Sequence, residues 1–91
     1  MTKLELIGRM AAAAGISREQ AKLALEAFTD GVTESLSAGR DVRLTGFGSF
    51  VMAERKAGLA RNPQTGETIA RQASRTARFR PGEGLKSALN G

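Results

Sequence analysis

The sequence contains no Cys, His, Trp or Tyr, only two Pro and four Phe in 91 residues, and no apolar run of membrane-spanning length. Without cysteine there are no disulfides, thiolate metal sites or thiol nucleophiles, and without histidine the commonest general base and metal ligand is gone. Catalysis and cofactor binding are therefore not expected, nor is a metal site. The carboxylates that might still work in pairs, Glu5, Glu19, Glu26, Asp30 and Glu34, fall on amphipathic helical segments, where a solvated face explains them. The first ten residues interleave Lys3, Glu5 and Arg9 with apolar ones, which is neither a signal core nor a span. The expectation is a soluble, cytoplasmic protein with no membrane or small-molecule partner.

What is present is charge of one sign in one half. Residues 1–45 carry six basic and six acidic side chains, whereas residues 46–91 carry eight basic (Arg55, Lys56, Arg61, Arg71, Arg75, Arg78, Arg80 and Lys86) and three acidic (Glu54, Glu67 and Glu83), which accounts for the whole net charge of +5. A run of guanidinium groups on an otherwise balanced chain is the footprint of a polyanion binder, because the guanidinium fork matches phosphate geometry. Charge kept only for solubility is the plainer alternative.

Local signals divide the chain. Thr2 with Glu5 forms a capping box, with Met1 and Leu6 placed as a staple, and Leu4, Ile7, Ala11 and Ala14 line one helical face until Gly15 offers a left-handed stop. A second box, Ser17 with Gln20, opens a helix from about Arg18 to Ala38 on which Ala21, Leu25, Phe28, Val32 and Leu36 recur. Ala24, Ala27, Gly31 and Ser35 form a line of small residues there, and the cost of a mid-helix glycine, about 1 kcal/mol relative to Ala, suggests a packing reason for Gly31.

After Gly39 the period becomes two. Val42 and Leu44 alternate with Arg43 and Thr45, Gly46-Phe47-Gly48 turns the chain, and Ser49 to Ala53 returns as a second strand. The turn is expected to bury Phe47. Its glycines lack the third glycine and following helix of a dinucleotide site, although a bare backbone there can admit a phosphate. From Glu54 to Arg78 the only large apolar residues are Leu59 and Ile69, and Asn62-Pro63-Gln64-Thr65-Gly66 is a turn. Such a stretch is a disordered loop or a β-hairpin. The two-residue rhythm of Ile69, Arg71, Ala73, Arg75, Ala77 and Phe79 favours the hairpin, an arm reaching ~30 Å at the usual strand rise. Pro81-Gly82 ends the strand, and Leu85, Ala88 and Leu89 around Lys86 suggest a closing helix. At the arm's tip, Arg61 and Asn62 can bond minor-groove acceptors while Pro63, besides forming the turn, can act as an apolar wedge between stacked bases.

Taken together, Gly46-Phe47-Gly48-Ser49-Phe50, Arg61-Asn62-Pro63-Gln64-Thr65-Gly66 and Phe79-Arg80-Pro81-Gly82 with Leu85-Lys86 resemble the signature of the HU and integration host factor family of bacterial histone-like nucleoid proteins, most like HU, over essentially the whole chain. The resemblance implies an α+β fold in which a helical body underlies a β-saddle with a long protruding β-hairpin arm, as an intertwined homodimer. It divides one DNA-binding domain, residues 1–91, into a dimerising body (1–53 and 79–91) and an arm (54–78). It assigns the shared core to Leu25, Phe28, Val32, Phe47, Phe50 and Phe79. The expected contacts to double-stranded DNA are Lys3, Gly46, Gly48, Ser49, Arg55, Lys56, Arg61, Asn62, Pro63, Gln64, Arg71, Arg75, Arg78, Arg80 and Lys86.

The chain also departs from the family pattern. Gly58 stands where such arms carry a first arginine, Ala60 replaces a glycine, Glu67 follows the tip, Ala77 replaces a proline, and Glu83 stands where many relatives have lysine. Arg71, Arg75 and Arg78 suggest that contact shifts to the returning strand. The implied function is architectural, binding and bending duplex with little sequence preference in the nucleoid. The alternatives are a site-preferring subunit like integration host factor, a heterodimer with a paralogue, a small RNA-binding protein, or a basic adaptor for an acidic protein.

Overall fold

A computed structural model describes all residues, 1–91. The order of elements is α1 (Lys3–Ala14), α2 (Arg18–Ser37), β1 (Val42–Leu44), β2 (Gly48–Arg55), β3 (Gly58–Arg61), β4 (Thr68–Arg71), β5 (Ser74–Pro81) and α3 (Glu83–Asn90), an α+β arrangement. The chain forms two compact units, Met1–Glu34 and Ser35–Gly91. No helix is long and apolar enough to cross a membrane.

In the first unit the second capping box closes in both directions and the first through its Thr2 half. Thr2 Oγ1 accepts the Glu5 amide at 3.2 Å, and Ser17 and Gln20 exchange two bonds, Ser17 N to Gln20 Oε1 at 3.0 Å and Gln20 N to Ser17 Oγ at 3.1 Å. These bonds satisfy amides that a helix start leaves without partners. Gly15, at φ 67°, donates with Ile16 to the Ala11 carbonyl and closes α1. The core is small: Ile7, Ala11 and Ala21, with Met10 and Leu25 packed against them. The apolar line expected on α1 is only half buried, since Leu4 and Ala14 are exposed, and Met1 and Leu6 are exposed where a staple was expected. Within the single chain nothing lies within 4 Å of the place a Gly31 Cβ would take.

In the second unit the end of α2 closes through Gly39 N to Leu36 O and Arg40 N to Ser35 O. The strands β1, β2 and β5 form an antiparallel sheet in that spatial order, and β3 with β4 forms a separate two-stranded ribbon, the hairpin that the rhythm favours. Phe47 N donates to Leu44 O at 2.9 Å, closing the β1–β2 turn with Gly46 at φ 86°, a conformation that side chains resist. Along β2–β5 the pairs run without a bulge from Gly48 opposite Pro81 to Arg55 opposite Ser74. The ladder lapses for two residues on each strand and resumes from Gly58 opposite Arg71 to Arg61 opposite Thr68. Equal gaps on both strands keep one register from sheet to tip.

Strand alternation sorts the sheet's side chains. Val42, Phe50, Met52, Ala77 and Phe79 share one face, and the Phe79 ring meets Phe50 at 5.2 Å and Phe47 at 5.5 Å between centroids. Phe47 is nevertheless 49 % exposed, against the expectation of burial, Phe28 is 40 % and Phe79 38 % exposed. The Phe47 and Phe79 rings are thus left partly open to solvent.

Candidate nucleic-acid interface

The face of the sheet opposite the phenylalanines is cationic. Antiparallel register sets Arg43 beside Ser49 and Ser49 beside Arg80, places Arg78 across from Val51, and brings Arg55 opposite Ser74, all on that face. Four guanidinium groups thus share a surface with Ser49, Val51, Ala53, Ser74 and Thr76. Arg43 was not among the residues expected from the sequence. Its signal was there, since it alternates with Val42 and Leu44, but its place in one row with Ser49 and Arg80 depends on β1 joining the edge of β2.

Arg75 is set apart from Arg78 and Arg80. It lies opposite Glu54 on the phenylalanine face, and its Nη2 donates to the Ser37 carbonyl at 3.0 Å. The last turn of α2 contains no basic residue of its own, so a strand arginine supplies the cation that a helix C-terminus favours. This guanidinium already has a partner within the chain.

The ribbon beyond the sheet is exposed along nearly all its length. Leu59, Arg61, Thr68 and Ala70 share one face, and Gly58, Ala60, Ile69 and Arg71 the other. At the tip, Asn62 N donates to Glu67 O at 2.8 Å, Gly66 N to Asn62 O at 2.7 Å, and Gln64 N to Asn62 Oδ1 at 2.9 Å. Asn62 therefore spends its side-chain acceptor on the turn and keeps its Nδ2 donor, the polarity that minor-groove acceptors require. Pro63 is exposed at the head of this braced loop, with Gln64 beside it. Lys56 lies in the gap between β2 and β3.

The two glycines of the turn have different surroundings. A Cβ on Gly48 would strike the Phe79 ring and lie 2.6 Å from Arg80 O, so the missing side chain makes room for the aromatic cluster. A Cβ on Gly46 would meet nothing within 4 Å. Its neighbour Phe47 accepts from Gly82 N at 2.7 Å, and a Cβ on Gly84 would stand 2.6 Å from Gly46 O. The Gly-Phe-Gly and Pro-Gly motifs, far apart in sequence, are thus two sides of one close backbone contact, from which α3 starts. Lys86 belongs to the first turn of α3, where its amide bonds Gly82 O at 3.0 Å. Lys3, also exposed, opens α1 in the other unit.

A family model described as bacterial DNA-binding protein matches residues 1–90. The chain is 62 % identical over 89 residues to DNA-binding protein HU of Caulobacter vibrioides, covering 98 % of this chain and 97 % of that one. It is 49 % identical over 90 residues to DNA-binding protein HU-beta of Escherichia coli, with 99 % of this chain and 100 % of the relative covered. Among solved structures, an Anabaena HU–DNA cocrystal superposes with a TM-score of 0.88 at 37 % identity, over 98 % of this chain and 97 % of that one. HU from Thermotoga maritima gives 0.68 at 30 % identity, over 98 % of each.

Proposed function

The chain belongs to the bacterial DNA-binding protein family, the family of the HU proteins, and from that premise we propose that it is an architectural protein of double-stranded DNA. It binds duplex through the minor groove with low sequence specificity, bends it and compacts it, and it is not an enzyme. The observation that carries this reading is the pairing of a four-arginine sheet face, Arg43, Arg55, Arg78 and Arg80, with an arm tipped by Arg61, Asn62 and Pro63 in one unbroken register. The sheet face and the arm attract phosphates, Asn62 offers a donor to the groove floor, and Pro63 parts a base step. Selectivity then comes from how easily a duplex deforms. Ser49, Lys56, Gln64, Lys86, Lys3 and the open backbone at Gly46 complete the contact surface.

The working molecule is a homodimer, with residues 54–78 of each chain as an arm and residues 1–53 and 79–91 as the body. Half-exposed Phe28, Phe47 and Phe79, with Leu25, Val32 and Phe50, make up the shared core. A DNA partner sets the protein on the nucleoid, in the cytoplasm. The Phe79-Arg80-Pro81-Gly82 run does not favour a site-preferring relative, since Gly82 has a packing reason of its own, a Cβ there standing 3.1 Å from Phe47 C. The arm has no stacking aromatic of the kind single-stranded RNA readers use.

Energy transfer across a short end-labelled duplex, at saturating protein, tests the wedge. Pro63→Ala should bend the duplex less than wild type and lose its preference for nicked substrate while keeping much of its affinity for linear DNA. Arg61→Ala should weaken binding to all duplexes with a smaller effect on the bend of the complexes that form. Equal bending by Pro63→Ala and wild type would refute the wedge, and failure of wild type to hold linear duplex at low salt would refute the function.

A further inference from the structure

The arm face that bears Gly58, Ala60, Ile69 and Arg71 has no cation on its outgoing strand, yet it does have one in the outgoing strand's place. Gly58 and Arg71 are register partners, and Arg71 Nη2 lies 3.8 Å from the position a Gly58 Cβ would occupy. The guanidinium therefore folds across the ribbon and lies over the glycine, a path that a side chain larger than alanine at residue 58 would block. Cross-strand partners project from the same side of a ribbon a few ångströms apart, which is what makes this reach possible.

Arg61 projects from the opposite face, so the arm offers one guanidinium on each side. A ribbon lying edgewise in the minor groove turns its two faces toward the two sugar-phosphate walls. We infer that Arg71, seated over Gly58, is the phosphate contact for the wall that Arg61 does not face, and that the arm thereby holds both strands of the duplex. Arg75, four residues further along the chain and in β5, does not share this role, because its guanidinium is engaged with the Ser37 carbonyl. The inference rests on the reading of the partner as duplex DNA.

Salt dependence of binding to one linear duplex, followed by fluorescence anisotropy, tests it on the full chain. Counterion release gives a log-log slope of about −0.9 for each phosphate neutralised, so Arg71→Ala should flatten the slope by about 0.9 for every arm engaged. Gly58→Ala should leave it unchanged, since 3.8 Å is ordinary van der Waals contact. The double variant Gly58→Arg with Arg71→Ala returns a guanidinium to the same place from the other strand and should restore the wild-type slope. Thermal unfolding run in parallel should show the same midpoint for all variants, since the ribbon adds nothing to the buried core. An unchanged slope for Arg71→Ala, or a double variant with a native midpoint that stays flattened, would overturn the inference while leaving DNA binding intact. A wild type without a steep salt dependence would instead overturn the DNA reading itself.

Discussion

Two glycines illustrate how one residue type can be held in place by opposite circumstances. At Gly48 a side chain has nowhere to go, with the Phe79 ring and the Arg80 carbonyl already in its space. Gly48→Ala should cost about 1–3 kcal/mol, the usual penalty for forcing atoms into a packed site. At Gly31 the space is open within the chain, and an alanine should gain about 1 kcal/mol of helix stability. Urea unfolding of the two variants should thus move the midpoint in opposite directions. A loss at Gly31 would instead place a partner helix against it. The sequence made the cost of Gly31 visible but not what surrounds it, and it did not show that the missing side chain of Gly48 makes room for an aromatic ring. In both cases the deciding neighbour is remote in the chain or absent from it.

Among the elements, β5 has two jobs, and alternation divides them. Arg78 and Arg80 stand with Arg43 and Arg55 on the cationic face, whereas Arg75 stands with Phe79 and ties the strand to the end of α2. Arg75→Ala should therefore lower stability by less than about 1 kcal/mol, the range of an exposed cation at a helix end, and leave the salt slope of DNA binding unchanged. Arg78→Ala should do the reverse, flattening the slope by about 0.9 per phosphate lost with an unaltered thermal midpoint. Equal flattening by both would return Arg75 to the interface. The two-residue rhythm that predicts the hairpin already sets Arg75 on the side of Phe79, so that half of the assignment was legible. The bond to Ser37, 38 positions away, was not. Capping boxes, turns and helix ends were legible for the complementary reason, since each is decided by residues within five positions of one another.

At the scale of the molecule, a chain of 9.6 kDa exposes 7430 Å², whereas a compact monomer of that mass exposes about 5,100 Å². The arm accounts for part of the excess and the half-covered phenylalanines for another part. With only Ile7, Ala11, Ala21 and Leu36 as buried hydrophobic residues, a lone chain has little to set against its conformational entropy. The homodimer proposed above would resolve this by lending each aromatic cluster a second side. The unfolding midpoint should then rise with protein concentration, because association and folding are one equilibrium. The size of the Phe47→Ala effect carries the same information. A ring fully covered in the dimer is worth about 3–5 kcal/mol, while a ring 49 % exposed, as in the single chain, is worth roughly half of that on the basis of buried area. Sedimentation and thermal unfolding over a hundredfold range of concentration should show a dimer mass and a rising midpoint, with Phe47→Ala shifted at every concentration by the larger amount. A monomer mass with a constant midpoint and the smaller penalty would show that the chain folds alone, its phenylalanines left open to solvent.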